Sequence, residues 1–82
     1  MIIKLVHNVS TPLAPGKYHY RATVGNGAAT LEIGDELGGF QTMINGEFTT
    51  DSDGTMYASK FPVRAQLTGT AEIRLSKLPD GV

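Results

Sequence analysis

The sequence predicts an all-β fold, a small antiparallel β-sandwich or partly open barrel of about seven short strands. Three observations carry that prediction. Apolar and polar residues alternate in short runs, as in Val63, Ala65 and Leu67 against Arg64 and Gln66. Clusters of Gly, Pro, Asn and Asp separate the runs. No window of about ten residues combines helical periodicity with caps.

The first run alternates Ile3, Leu5 and His7 with Ile2, Lys4 and Val6, and predicts a strand starting almost at the first residue. Residues 8–16 hold Ser10, Thr11, Pro12 and Pro15, which predicts an extended loop ending in a Pro15-Gly16 turn. Residues 18–33 then read as a hairpin. Asn26-Gly27 suits a type I′ turn, which requires positive φ at both residues. A two-residue loop there sets Val24 opposite Ala29, Ala22 opposite Leu31 and Tyr20 opposite Ile33, with Arg21 facing Glu32. Apolar meets apolar and the charges are opposite, a match that a slip of one residue would destroy.

Gly34, Gly38 and Gly39 bracket a mobile or tightly bent connection. Residues 40–50 predict a second hairpin about Asn45-Gly46, pairing Met43 with Phe48, although it also sets Ile44 against Glu47. Asp51-Ser52-Asp53-Gly54 predicts a further turn. A strand follows over residues 55–61, and Pro62 stops its ladder or marks an edge. Val63, Ala65 and Leu67 share one face of the next strand, and Ala71, Ile73 and Leu75 share one face of the last. A two-residue loop at Thr68-Gly69 would set Leu67 against Thr70 and Ala65 against Glu72. The connection is therefore either an odd-length bulged loop or an arch crossing to a second sheet. Residues 78–82 read as a tail or docking arm.

The 82 residues form a single domain, 1–82, with a small core. A chain this short buries roughly 60% of its extended surface. It has no cysteine, so neither disulfides nor thiolate metal sites can reinforce it, which leaves partners as the source of added stability, the alternative being an ordinary small domain that folds well alone. The formal net charge is −1 with alternating signs, giving no basic stripe for nucleic acid and no polybasic segment for a membrane. The apolar start is too short for a signal peptide or a spanning helix, so synthesis and first folding are expected in a cytoplasm.

No candidate for chemistry survives comparison with its plainer reading. Asp51, Asp53 and Gly54 resemble part of a calcium loop, but the twelfth position is Pro62 and no helices flank it. His7 and His19 have no further ligand at a telling spacing. Asp35 and Glu36 are adjacent on a glycine loop, which does not hold the fixed separation of paired catalytic acids. No Ser or Thr sits in a nucleophile elbow. Gly25-Asn26-Gly27 is too short for a phosphate loop. Tyr18, Tyr20 and Arg21 could stack on bases or sugars, but the tyrosines share the Leu31 and Ile33 face, which reads as core. The expectation is a protein with no catalytic residues, no cofactor and no metal.

Residues 14–75 resemble small β-sandwich virion proteins of tailed bacteriophages. The resemblance is carried by Ala-Pro-Gly-Lys-Tyr before a strand, Gly-Asn-Gly-Ala-Ala-Thr-Leu-Glu-Ile, Asn-Gly-Glu-Phe-Thr-Thr, and a closing Val-Arg-Ala-Gln-Leu-Thr-Gly-Thr-Ala-Glu-Ile-Arg-Leu. The arm departs from that pattern with Ala28-Ala29-Thr30-Leu31, and Asn45 stands where aspartate is common. The resemblance is compositional more than motif-like. It implies a capsid decoration or fibre-base protein located in the virion, made in the host cytoplasm, homo-oligomeric, and partnered by the major capsid protein or other virion proteins. It brings no catalytic residues. A carbohydrate- or receptor-binding β-module of a tail or head fibre is the alternative. That reading requires aromatics clustered in loops, whereas most of the three Tyr and three Phe sit in strand patterns.

The first strand supplies the expected interface. Ile2 and Val6 share a face opposite Ile3 and Leu5, so the strand is apolar on both sides. Antiparallel sheets commonly leave one face to water, so Ile2 and Val6 are expected to meet another subunit.

Overall fold

The computed structural model describes residues 2–79, the side chain of Ile44 excepted. It contains β1 (Ile2–Lys4), β2 (Gly16–Thr23), β3 (Ala29–Gly34), β4 (Phe40–Phe48), β5 (Ser52–Ala58), β6 (Val63–Leu67) and β7 (Glu72–Lys77). One sheet has the order β1-β7-β2-β5 and the other the order β4-β3-β6. Every ladder between these strands is antiparallel. The all-β sandwich predicted from the alternation is the architecture found.

Period-two burial builds the core between the sheets. Tyr18 and Ala22 of β2, Ala29 and Leu31 of β3, Val63 and Ala65 of β6, and Ile73 and Leu75 of β7 all point inward. The Tyr18 hydroxyl donates to the Ala14 carbonyl at 2.8 Å, which satisfies its one polar group at the margin of the core.

The central hairpin over residues 18–33 does not form. β2 pairs with β5 and β7, while β3 pairs with β4 and β6. Arg21 lies opposite Asp53 and Arg74, and Glu32 opposite Thr42 and Arg64. The turn is also one residue early, because the Gly27 N–H donates to the Val24 carbonyl at 2.8 Å, making Gly25 and Asn26 the central residues. Gly25 has φ +55°, whereas Asn26 and Gly27 are not at positive φ. The segment is an arch that carries the chain from one sheet to the other. The apolar match misled because facing sheets also present apolar residues to each other. Matched inward faces do not distinguish strands paired edge to edge from strands stacked across a core.

The second hairpin fails for a different reason. β4 runs through Asn45-Gly46 without reversing and stays beside β3. Thr30 pairs with Glu47 and Glu32 with Thr42, so residues 43–46 of β4 bulge opposite Leu31. Asn45 supplies the positive φ, 59°, that the bulge requires. The predicted turn at Asp51-Ser52-Asp53-Gly54 is also displaced, since β5 already begins at Ser52. Gly54 lies opposite Tyr20 in that strand, and an added Cβ would stand 2.7 Å from the tyrosine oxygen and 3.0 Å from its ring. Glycine there leaves room for the Tyr20 ring, which packs on Phe48 with centroids 5.5 Å apart.

The parity argument for Thr68-Gly69 holds. β6 and β7 lie in different sheets, so the connection is an arch. It interlocks with the arch after β2. Asn26 Oδ1 accepts from the Thr70 N–H at 3.0 Å, Thr68 Oγ1 accepts from the Ala28 N–H at 2.9 Å, and the Thr68 N–H donates to the Ala28 carbonyl at 3.0 Å. The 35–39 loop that joins β3 to β4 is tightly bent. Asp35 Oδ1 accepts from the N–H groups of Leu37 and Gly39 at 2.9 and 3.0 Å.

The predicted first strand splits between the sheets. Ile2–Lys4 pairs with β7, and the Leu5 N–H extends that ladder to the Ile73 carbonyl at 3.0 Å. The chain then crosses to β6, where the Asn8 N–H donates to the Ala65 carbonyl at 2.8 Å. Thr11 and Val63 exchange backbone bonds of 2.8 and 3.0 Å. Residues 7–11 therefore cover the edge of β6 that would otherwise present unpaired backbone groups.

Candidate functional site

Strand register sets what the outer face of the four-stranded sheet presents. Lys4 of β1 lies opposite Arg74 of β7, which lies opposite Arg21 of β2, which lies opposite Asp53 of β5. The neighbouring outward row is Ile2, Ser76, His19 and Thr55. Arg74 thus has a cation directly across from it on both sides, an arrangement that is unfavourable by itself.

Two carboxylates offset the repulsion. Glu72 Oε1 lies 3.2 Å from Lys4 Nζ, and Glu72 Oε2 accepts from Arg74 Nη2 at 3.1 Å. Lys4, and then Arg74, hold the Glu72 carboxyl below the usual carboxylate range. Asp53 Oδ2 serves both Arg21 Nη2 at 3.5 Å and His19 Nε2 at 3.7 Å, two long contacts to a single oxygen. These pairs lie at the surface, where each contributes little to stability. Between the rows is a shallow depression of about 300 Å³, lined by Ile2, His19, Arg21, Arg74, Leu75 and Ser76. Neither carboxylate borders it.

On the outer face of the other sheet the arginine is paired within the sheet. Arg64 Nε donates to Glu32 Oε1 at 2.8 Å, and the Arg64 guanidinium lies over the Phe40 ring at 4.1 Å. Gln66 Nε2 adds a bond to the same carboxylate oxygen at 3.2 Å. The hydrogen bond from Arg64 is the main cause of a lowered Glu32 pKa; partial burial opposes it, and Gln66 and the Arg64 charge support it. A carboxyl with a depressed pKa in the folded state contributes stability that is present above its unfolded pKa and lost as the pH falls through its folded pKa. Glu32→Gln should therefore cost about 1 kcal/mol at neutral pH. It should also flatten the loss of stability of the wild-type chain on acidification below the ordinary glutamate range. Urea melts of both chains across that range would check this, and parallel acid limbs would contradict it.

The structure separates the residues grouped from the sequence. Tyr18 is buried and Tyr20 half-buried on the inward side of β2, while Arg21 points outward, so the three do not form one stacking surface. His19 lies on the outer face of the four-stranded sheet, whereas His7 lies on the crossing segment, where its Nδ1 accepts from the Leu67 N–H at 2.9 Å. Asp51 Oδ1 accepts from the Val24 N–H at 2.9 Å, and Asp53 faces Arg21, so the two carboxylates serve different partners. Among the described residues no three His, Asp or Glu side chains converge as a metal set. Asp35 orders its own loop. Gly25-Asn26-Gly27 packs against residues 68–70.

Ile2 and Val6 point outward, 68% and 59% exposed, while Leu5 is buried and Ile3 half-buried. The cross-strand cluster of Lys4, Arg21 and Arg74 could not be read from the sequence. Arg21 and Arg74 become neighbours through the pairing of β2 with β7, and no local signal reports that pairing. No protein-family model, curated protein or solved structure matches the chain.

Proposed function

We propose that the chain is a virion structural module that docks as repeated copies on a protein lattice, in the manner of a capsid decoration protein. Its partner is the major capsid protein or another virion protein, and its role is physical rather than catalytic. The observation that carries this reading is the outward exposure of Ile2 and Val6 on and beside β1, an edge strand that among the described residues has a strand neighbour on one side only. Burying the two side chains removes apolar surface from water. The open side of β1 can accept backbone hydrogen bonds from a neighbour. Binding the folded state alone then stabilises each copy by mass action. The resemblance of residues 14–75 to small virion sandwiches supports a lattice as the partner.

The double variant Ile2→Ser/Val6→Ser should change monomer stability by no more than about 0.5 kcal/mol per site, because both positions are exposed. It should weaken lattice binding by about tenfold or more. Urea melts and light scattering of the purified chain, together with sedimentation alongside undecorated capsid shells, would measure both effects. A chain that stays a monomer and whose double variant binds shells normally would overturn the reading. So would a gene neighbourhood without virion genes.

A further inference from the structure

The depression on the outer face of the four-stranded sheet has a composition that neither the core nor the fold requires. Its polar lining consists of Arg21, Arg74, His19 and Ser76, and its exposed apolar wall is Ile2, since Leu75, which also borders it, is buried. Arg21 and Arg74 face each other directly across β2 and β7, with Lys4 opposite Arg74 on the far side. Three permanent cations share the carboxylates of Glu72 and Asp53. The ion pairs with Asp53 and Glu72 occupy one guanidinium nitrogen of each arginine. An arginine carries five N–H donors, so each has donors left for a ligand. Both side chains are more than half exposed, at 64% and 56%. Packing therefore does not account for placing them together.

We propose that this depression seats an acidic segment of the protein on which the domain docks. A glutamate or aspartate carboxylate of that segment is held between the guanidinium groups of Arg21 and Arg74, and an apolar neighbour lies on Ile2. The inference rests on the docking reading above and names the chemistry of the partner. A carboxylate placed there relieves the opposition of Arg21 and Arg74, and paired guanidinium donors suit its geometry. The surroundings select the occupant. Glu72 and Asp53 flank the cationic row, so a polyanion extending beyond the depression meets like charge. A phosphodiester strand carries a charge about every 3.4 Å and is disfavoured for that reason. An isolated carboxylate beside an aliphatic group fits both the charge and the apolar wall.

The test is an NMR titration of the full ¹⁵N-labelled chain with the blocked peptide acetyl-Leu-Glu-Leu-Glu-amide. Its Gln counterpart, inorganic phosphate and a short single-stranded DNA serve as comparators. The acidic peptide should give saturable shifts at His19, Arg21, Arg74 and Ser76 that weaken with salt. The Gln peptide should give none. Arg74→Gln and Arg21→Gln should each weaken peptide binding by about tenfold, and Arg74→Lys by less, with thermal melts confirming that all three fold. Absent shifts, equal shifts with phosphate, or tighter binding of DNA would overturn the proposal. Shell binding separates this inference from the docking reading. If Arg21→Gln/Arg74→Gln binds shells as the wild type does while Ile2→Ser/Val6→Ser does not, the carboxylate seat is wrong and the docking face stands.

Discussion

Gly27→Val is expected to lower the unfolding free energy by about 3 kcal/mol or more, by forcing two arches apart. The cause is contact rather than backbone conformation, because Gly27 is not at positive φ. A Cβ at Gly27 would collide with the Thr68 carbonyl oxygen and stand 2.5 Å from its carbon and 3.0 Å from the Gly69 nitrogen. All three are main-chain atoms, which cannot swing aside as the end of a side chain can. Separating the arches would strain the bonds between Ala28 and Thr68 and the bond from Thr70 to Asn26. The control is Gly38→Val in the exposed 35–39 loop. An added Cβ there meets nothing within 4 Å, but φ is +84°, so strain alone should cost about 1–2 kcal/mol. Urea melts of the two variants would decide. A Gly27 variant no less stable than the Gly38 variant would show that the arches are not in contact.

Ile73→Ala should cost about 3–4 kcal/mol, the range of a truncation that leaves a cavity. Ile73 is fully buried in β7, between β1 and β2 in the four-stranded sheet. Its cross-strand partner on β2 is Ala22, which is also fully buried. Ala29, Ala58, Ala65 and Ala71 are buried as well, so the core volume falls to its larger members, among them Tyr18, Leu31, Phe48, Met56, Ile73 and Leu75. Truncating Ile73 leaves two alanines opposite each other in the ladder between β2 and β7. A small domain has a total stability of about 5–15 kcal/mol, so this one change removes a large part of it. The denaturation midpoint should fall with the m-value unchanged. Ile2→Ala, at an exposed site, should stay within about 0.5 kcal/mol. Similar losses at both positions would contradict the assignment of inner and outer faces.

The sequence by itself determined the strand class and the facing of side chains. Val63, Ala65, Ala71, Ile73 and Leu75 are buried as their alternation requires, and Leu5 is buried while Ile2 and Val6 are not. Parity also ruled out a two-residue hairpin at Thr68-Gly69, and the arch there agrees. These successes have a common cause. Side-chain alternation along a strand is local, and the mismatch of two faces is visible without knowing which strand pairs with which.

Tertiary structure alone decided the partners. Asn26-Gly27 and Asn45-Gly46 both carry hairpin chemistry, yet one lies in an arch between sheets and the other in a bulge within β4. Tyr20, Ala22 and Val24 match Ile33, Leu31 and Ala29 equally well in one ladder or across one core, so hydrophobic matching could not choose between them. The choice depended on β5 and β7, which lie far along the chain and flank β2 on both sides. The same long-range pairing opposed Arg21 to Arg74 and put Ile2 at the edge of their depression. Strand pairing is a competition among all edges of the folded chain. A local turn signal is worth at most a few kcal/mol, and burial of the whole core can outweigh it.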